Sequence, residues 1–178
     1  MPYNFKTSID ICIKYPLYQS QRGNYFIGQT PLLSGETEHA LALLKNPCNS
    51  NRTIYVNSIS ITNISDSNLS AEFYLRSEVC NTINSPLVTA ANTGVDCENS
   101  NKGQVRYLNC PTEAPINGTS IFSRIISPNS TLVIDGDQII LAPDQALTVY
   151  IGGFSPVPFD NIRSSFSWWE EPIRDCYY

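Results

Sequence analysis

Apolar and polar residues alternate with a period of two along most of the chain, and that period predicts strands. In residues 69–76 (LSAEFYLR), Ala71, Phe73 and Leu75 alternate with Glu72, Tyr74 and Arg76, the pattern of a half-buried strand. In 53–64 (TIYVNSISITNI), Ile54 and Val56 hold one parity and Ile59 and Ile61 the other. A phase switch inside one strand predicts a bulge near Asn57–Ser58. Further strands are predicted over 105–108, 120–126, 131–134, 138–141, 147–151 and 162–168, set apart by turn signals such as Ser127-Pro128-Asn129 and Ala142-Pro143-Asp144. Asp135-Gly136, ahead of the 139–141 run, predicts a tight hairpin. The expected core is Phe73, Leu75, Ile121, Leu132, Ile139, Leu147, Val149 and Phe166. Residues 36–45 (ETEHALALLK) leave helix and strand both open. Ala40, Leu43 and Leu44 share a helical face, whereas Leu41 and Leu43 share a strand face.

Many short, turn-punctuated strands predict an all-β fold: an antiparallel β-sandwich, jelly-roll-like, with an N-terminal β-strand arm. An immunoglobulin frame does not fit, because Trp168 and Trp169 follow five of the six cysteines. The arm carries the cleanest alternation. Phe5, Ile9, Ile11, Ile13 and Tyr15 share one parity; Lys6, Ser8, Asp10, Cys12 and Lys14 share the other. It ends at Pro16. The chain divides into a connector arm (1–17), a sandwich domain (18–173) and a cysteine-bearing tail (174–178). A lone amphipathic strand has to satisfy its backbone on a sheet edge, so the arm reads as a strand-addition element for a neighbouring subunit or for its own sheet.

Composition narrows the partners. The 178 residues suit one domain. Only 15% are charged and the net charge is −5. With no Lys/Arg run, nucleic acid is excluded and an anionic membrane surface disfavoured. The apolar stretch 138–151 is broken by Pro143, Asp144 and Gln145, so no membrane insertion is expected. The N-terminus, MPYNFKTSIDICIKYPLY, does not read as a secretory signal.

Candidate chemistry is sparse. His39 is the single histidine, which leaves a serine or cysteine nucleophile without a base at hand. Glu170 and Glu171 are adjacent, and on a strand they point to opposite faces, so they do not flank one glycosidic bond. Asp135-Gly136-Asp137 lacks the remaining calcium ligands and reads as a turn. No catalytic residue, metal or cofactor is expected, and the chain does not read as an enzyme. Sequons begin at Asn51, Asn63, Asn68, Asn117 and Asn129. The tyrosines and tryptophans suit either a sugar-binding platform or core packing.

The six cysteines show no C-x-x-C spacing, against a zinc ribbon or a thioredoxin-like motif. Several fall in loop or terminal sequence, which favours disulfides. Cys12 and Cys176 lie in the terminal segments and are the candidates for bonds between subunits. Cys48, Cys80, Cys97 and Cys110 are the other disulfide candidates.

The ordered motifs YQSQRGNYFIGQT, NPCNSNRTIYVNSISITNIS, AEFYLR, RIISPNSTLV and FSWWEEPI resemble a family of short uncharacterised proteins from spore-forming Firmicutes. The likeness spans residues 18–173 and brings no catalytic or ligand residues with it. The layout of arm, sandwich and DCYY tail looks like that of endospore-appendage pilins, jelly-roll subunits whose connector cysteines bond to other subunits. That resemblance implies a structural, extracellular protein of a spore or cell surface. Its partner would be itself, as a homopolymer, together with other surface proteins, joined by strand addition and intersubunit disulfides into a fibre or layer. The alternative is a carbohydrate- or receptor-binding β-sandwich module.

Overall fold

The computed structural model describes residues 12–36, 39–95, 101–136, 138–153 and 156–173. One short helix, α1 (Tyr15–Gln21), precedes the strands β1 (Tyr25–Gln29), β2 (Leu33–Gly35), β3 (Ala40–Lys45), β4 (Arg52–Asn63), β5 (Leu69–Leu75), β6 (Ile83–Asn84) and β7 (Val88–Ala90). These are followed by β8 (Gln104–Asn109), β9 (Thr119–Ile126), β10 (Ser130–Asp135), β11 (Ile140–Leu141), β12 (Ala146–Ile151) and β13 (Phe159–Pro172). Two antiparallel sheets form a sandwich. The first runs β10-β4-β13-β1-β7, with β11 also on β4 and β2 also on β13; the second runs β6-β8-β3-β12-β5-β9.

Alternation sends one side of each strand into the space between the sheets. Ile54, Val56, Ile59 and Ile61 of β4, Phe166 and Trp168 of β13, Phe73 of β5, and Leu147 and Val149 of β12 meet there. The phase switch in β4 is a bulge. Ser58 faces Ser167 and Val56 faces Trp168, which leaves Asn57 as the extra residue. Leu75, Leu132 and Ile139 are partly buried against this core.

The structure corrects several sequence expectations. Ile121 is exposed, because β9 slips by one residue there: Phe73 faces Phe122 and Tyr74 faces Ser120. Asp135-Gly136 makes no hairpin. Both β10 and β11 pair with β4, so the chain detours and resumes along the same edge. The Gly136 amide donates to the Asn57 carbonyl, opposite the β4 bulge. The open segment 36–45 contributes β3, whose outer residues Leu41 and Leu43 are as buried as its inner Ala42 and Leu44. Burial on both faces erases the alternation that would have named it. Tyr15, expected to extend the arm, instead opens α1, with a proline at the start of the helix. Phe5, Ile9 and Ile11 lie outside the described residues.

The abundance of asparagine has a backbone cause. Asn51, Asn81, Asn117, Asn129 and Asn161 all sit at positive φ, where asparagine is the best tolerated residue after glycine. Gly28 answers a different demand. A Cβ there would lie 2.7 Å from Val105 Cγ2 and 2.9 Å from Val88 Cγ2, so β1 has room for hydrogen only. Gly28→Ala should cost about 1–3 kcal/mol by overpacking, read as a lower urea midpoint at unchanged slope.

Candidate functional site

The outer face of the first sheet carries two adjoining stripes. In the first, register places Ile140, Tyr55, Trp169 and Tyr25 side by side across β11, β4, β13 and β1. The Tyr55 and Trp169 rings lie 5.3 Å apart and within 3° of parallel. Tyr15 of α1 meets Trp169 edge-on at 6.0 Å and stacks on Tyr18 at 5.9 Å. Trp169 is buried by this company, and its indole Nε1 has no partner in the protein. Ile140 and Tyr18 are exposed.

The second stripe is a run of hydroxyls. Ser58 and Ser167 bond through their hydroxyls at 2.7 Å, and Thr62 and Thr131 do so at 3.0 Å. Ser60 and Ser165 form the row between. Each hydroxyl has one donor and two acceptor positions, so a bonded pair still offers capacity to a ligand.

Glu171 borders the aromatic end and fixes α1 to the sheet. Its Oε1 accepts from the Tyr15 hydroxyl at 2.6 Å and from Gln19 Nε2 at 2.8 Å. Glu170 points inward. It accepts from the backbone amides of Lys102 and Gly103 and from Trp168 Nε1, at 2.8–3.0 Å. The opposite orientations of these two carboxylates follow from the strand period.

On the far sheet, Tyr74 donates to Glu72 Oε2 at 2.7 Å. Burial, then that hydrogen bond and the Glu72 charge, push the Tyr74 phenol up to about 12. Burial and Glu72 also raise Tyr150. In the unfolded chain the phenol returns to about 10. This contribution to stability is therefore complete below about pH 10 and is lost as pH rises toward 12. Tyrosinate absorbance should show Tyr74 titrating late, and Glu72→Gln should bring its midpoint down. An unchanged midpoint would assign the shift to burial alone.

His39 stacks on Tyr150 at 5.2 Å, and its Nδ1 has no protein partner. The fold brings a cysteine near it that sequence spacing did not suggest: the Cys110 amide donates to the His39 carbonyl. The Cys110 sulfur, however, lies toward the Ser34 carbonyl at 3.9 Å. Among the described residues no cluster of three or more His, Cys, Asp or Glu side chains suits a metal ion. No described helix is long and apolar enough to cross a membrane.

The cysteines overturn the reading of a disulfide-bonded fibre or layer. Cys12, Cys48 and Cys80 are exposed free thiols. Cys12, the expected lock between subunits, carries a free thiol, so no disulfide supports that reading. Cys97 and Cys176 lie outside the described residues. One of the five sequons is closed by burial. Asn63 is fully buried and donates through Nδ2 to the carbonyls of Ser67, Ile126 and Ser127. That asparagine has no room for a glycan.

An antiparallel β-sandwich with an aromatic and hydroxyl-lined outer face is the class that these elements define. The chain belongs to DUF6143, a family of unknown function, whose model matches residues 3–175. No curated protein and no solved structure matches it.

Proposed function

We propose that the chain is a non-catalytic binding module that takes a neutral saccharide on the outer face of the first sheet. The observation that carries this reading is the continuity of the two stripes. Tyr55, stacked on Trp169 and partly open to solvent, offers a ring surface beside a ladder of serine and threonine hydroxyls. Sugar rings present C–H faces that pack on aromatic rings and an equatorial fringe of hydroxyls that needs donors and acceptors. A glycan ligand fits an extracellular working place. The strand order supports a finer topology as well. The orders β1-β13-β4-β10 and β3-β12-β5-β9 follow the pattern of a jelly roll, in which two Greek keys interleave.

The test is a glycan array followed by titration against intrinsic fluorescence. Binding of a neutral oligosaccharide is expected, with Tyr55→Ala weakening it by roughly ten-fold. Failure of every neutral glycan, or an unchanged affinity in Tyr55→Ala, would remove the proposal.

A further inference from the structure

The opposite sheet holds a second feature, independent of the saccharide face. The segment from Ser77 to Thr82 crosses the outer face of the second sheet and is pinned by a 2.9 Å bond between the Ser77 and Thr148 hydroxyls. A cavity of about 450 Å³ lies beside this strap. Lys45, Arg76 and Arg106 line it, facing the carboxylates of Glu78 and Asp144. Three of the chain's 11 basic residues thus share one cavity in a protein of net charge −5.

The charges are unevenly committed. Asp144 is taken by Lys45, whose Nζ bonds its Oδ1 at 2.8 Å and its backbone carbonyl at 2.7 Å. That pairing holds the Asp144 carboxyl below its ordinary range. Arg106 donates to the Thr82 carbonyl at 2.8 Å, while its Nε is buried with no partner in the protein. Gln145, on the same cavity wall, has a buried Oε1 that no protein donor reaches. Arg76 is exposed and stands at φ 59, a conformation that costs a non-glycine side chain and recurs at ligand sites.

We propose that this cavity binds a small monocarboxylate that also carries a hydroxyl donor. The carboxylate meets the guanidinium groups of Arg106 and Arg76, which suit its planar pair of oxygens. The ligand's own donor meets Gln145 Oε1. One anionic charge balances the lining, in which two arginines face Glu78 once Lys45 and Asp144 have neutralised each other. A phosphate dianion exceeds that balance, and the cavity wall offers no helix N-terminus to hold one.

Two sources share this chemistry, uronic acids and small 2-hydroxy acids, and the probes separate them. The full chain is titrated by isothermal calorimetry and by amide chemical shifts with glucuronate, lactate, glucose and inorganic phosphate. Saturable binding of glucuronate or lactate is expected, with shifts at the cavity residues and with glucose and phosphate much weaker. Arg106→Gln should weaken the carboxylate by at least roughly ten-fold, the scale of one charge-assisted hydrogen bond. Arg76→Gly removes a guanidinium and relieves the positive φ, so binding should fall while the melting temperature holds or rises. Tyr55→Ala, on the other sheet, should leave carboxylate binding unchanged. No carboxylate binding, tighter binding of phosphate or glucose at these residues, or full affinity in Arg76→Gly would overturn the proposal.

Discussion

Replacing Glu170 with alanine should destabilise the fold by about 3–5 kcal/mol, more than most single substitutions. Glu170 is 3% exposed and, among the described residues, is the side chain that accepts from the amides of Lys102 and Gly103 and from the indole of Trp168. Its loss orphans three donors in a dry place, and a buried donor without an acceptor costs about 1–3 kcal/mol. Glu170→Gln should lose less, because the amide oxygen still accepts while its NH₂ opposes an N–H. Urea unfolding of both variants checks the order. Equal, near-neutral losses would mean that residues 101–103 keep their place without the carboxylate.

Phe166→Ala should cost a similar amount, about 3–5 kcal/mol, by a different cause. Phe166 is 1% exposed and sits in register between Gly28 of β1 and Ile59 of β4. Gly28 lends it no side chain, and the space over Gly28 is taken by Val105, Val88 and Trp168 rather than by a residue that could move in after the ring. Removing it opens a cavity on the central strand of the first sheet, where backbone pairing on both sides resists collapse. A loss under about 1 kcal/mol would show that β1 closes over the gap.

Most of the sandwich was legible because most strands bury one face. The period in β5 and the phase switch in β4 both survive into the structure, the latter as the Asn57 bulge. Legibility failed where that assumption failed. β3 is buried on both faces, so its sequence did not choose between helix and strand. Ile121 occupies a bulge that no local pattern announced. Asp135-Gly136 is a sound hairpin signal by composition, yet β4 is long enough to pair with both flanking runs. The sites were less legible still. Tyr55, Trp169 and Tyr25 are far apart in the chain, and only strand register joins them. Lys45, Arg76 and Arg106 read as scattered surface charges until the strap gathers them into one cavity.

The place of β13 has a consequence for how the chain is made. It is the fourteen-residue strand that β4, β1 and β2 all pair with, and it comes after all the other described strands in sequence. A ribosome that has delivered β1, which ends at Gln29, must add a further 129 residues (158 − 29) before β13 begins. At about 5–20 residues per second that takes roughly 6–26 seconds. Throughout that interval β1 and β4 wait with open edges, since each is built to flank a strand not yet synthesised. The first sheet therefore forms late and at once, and the nascent chain is the state most exposed to sticking to its neighbours or to needing a chaperone.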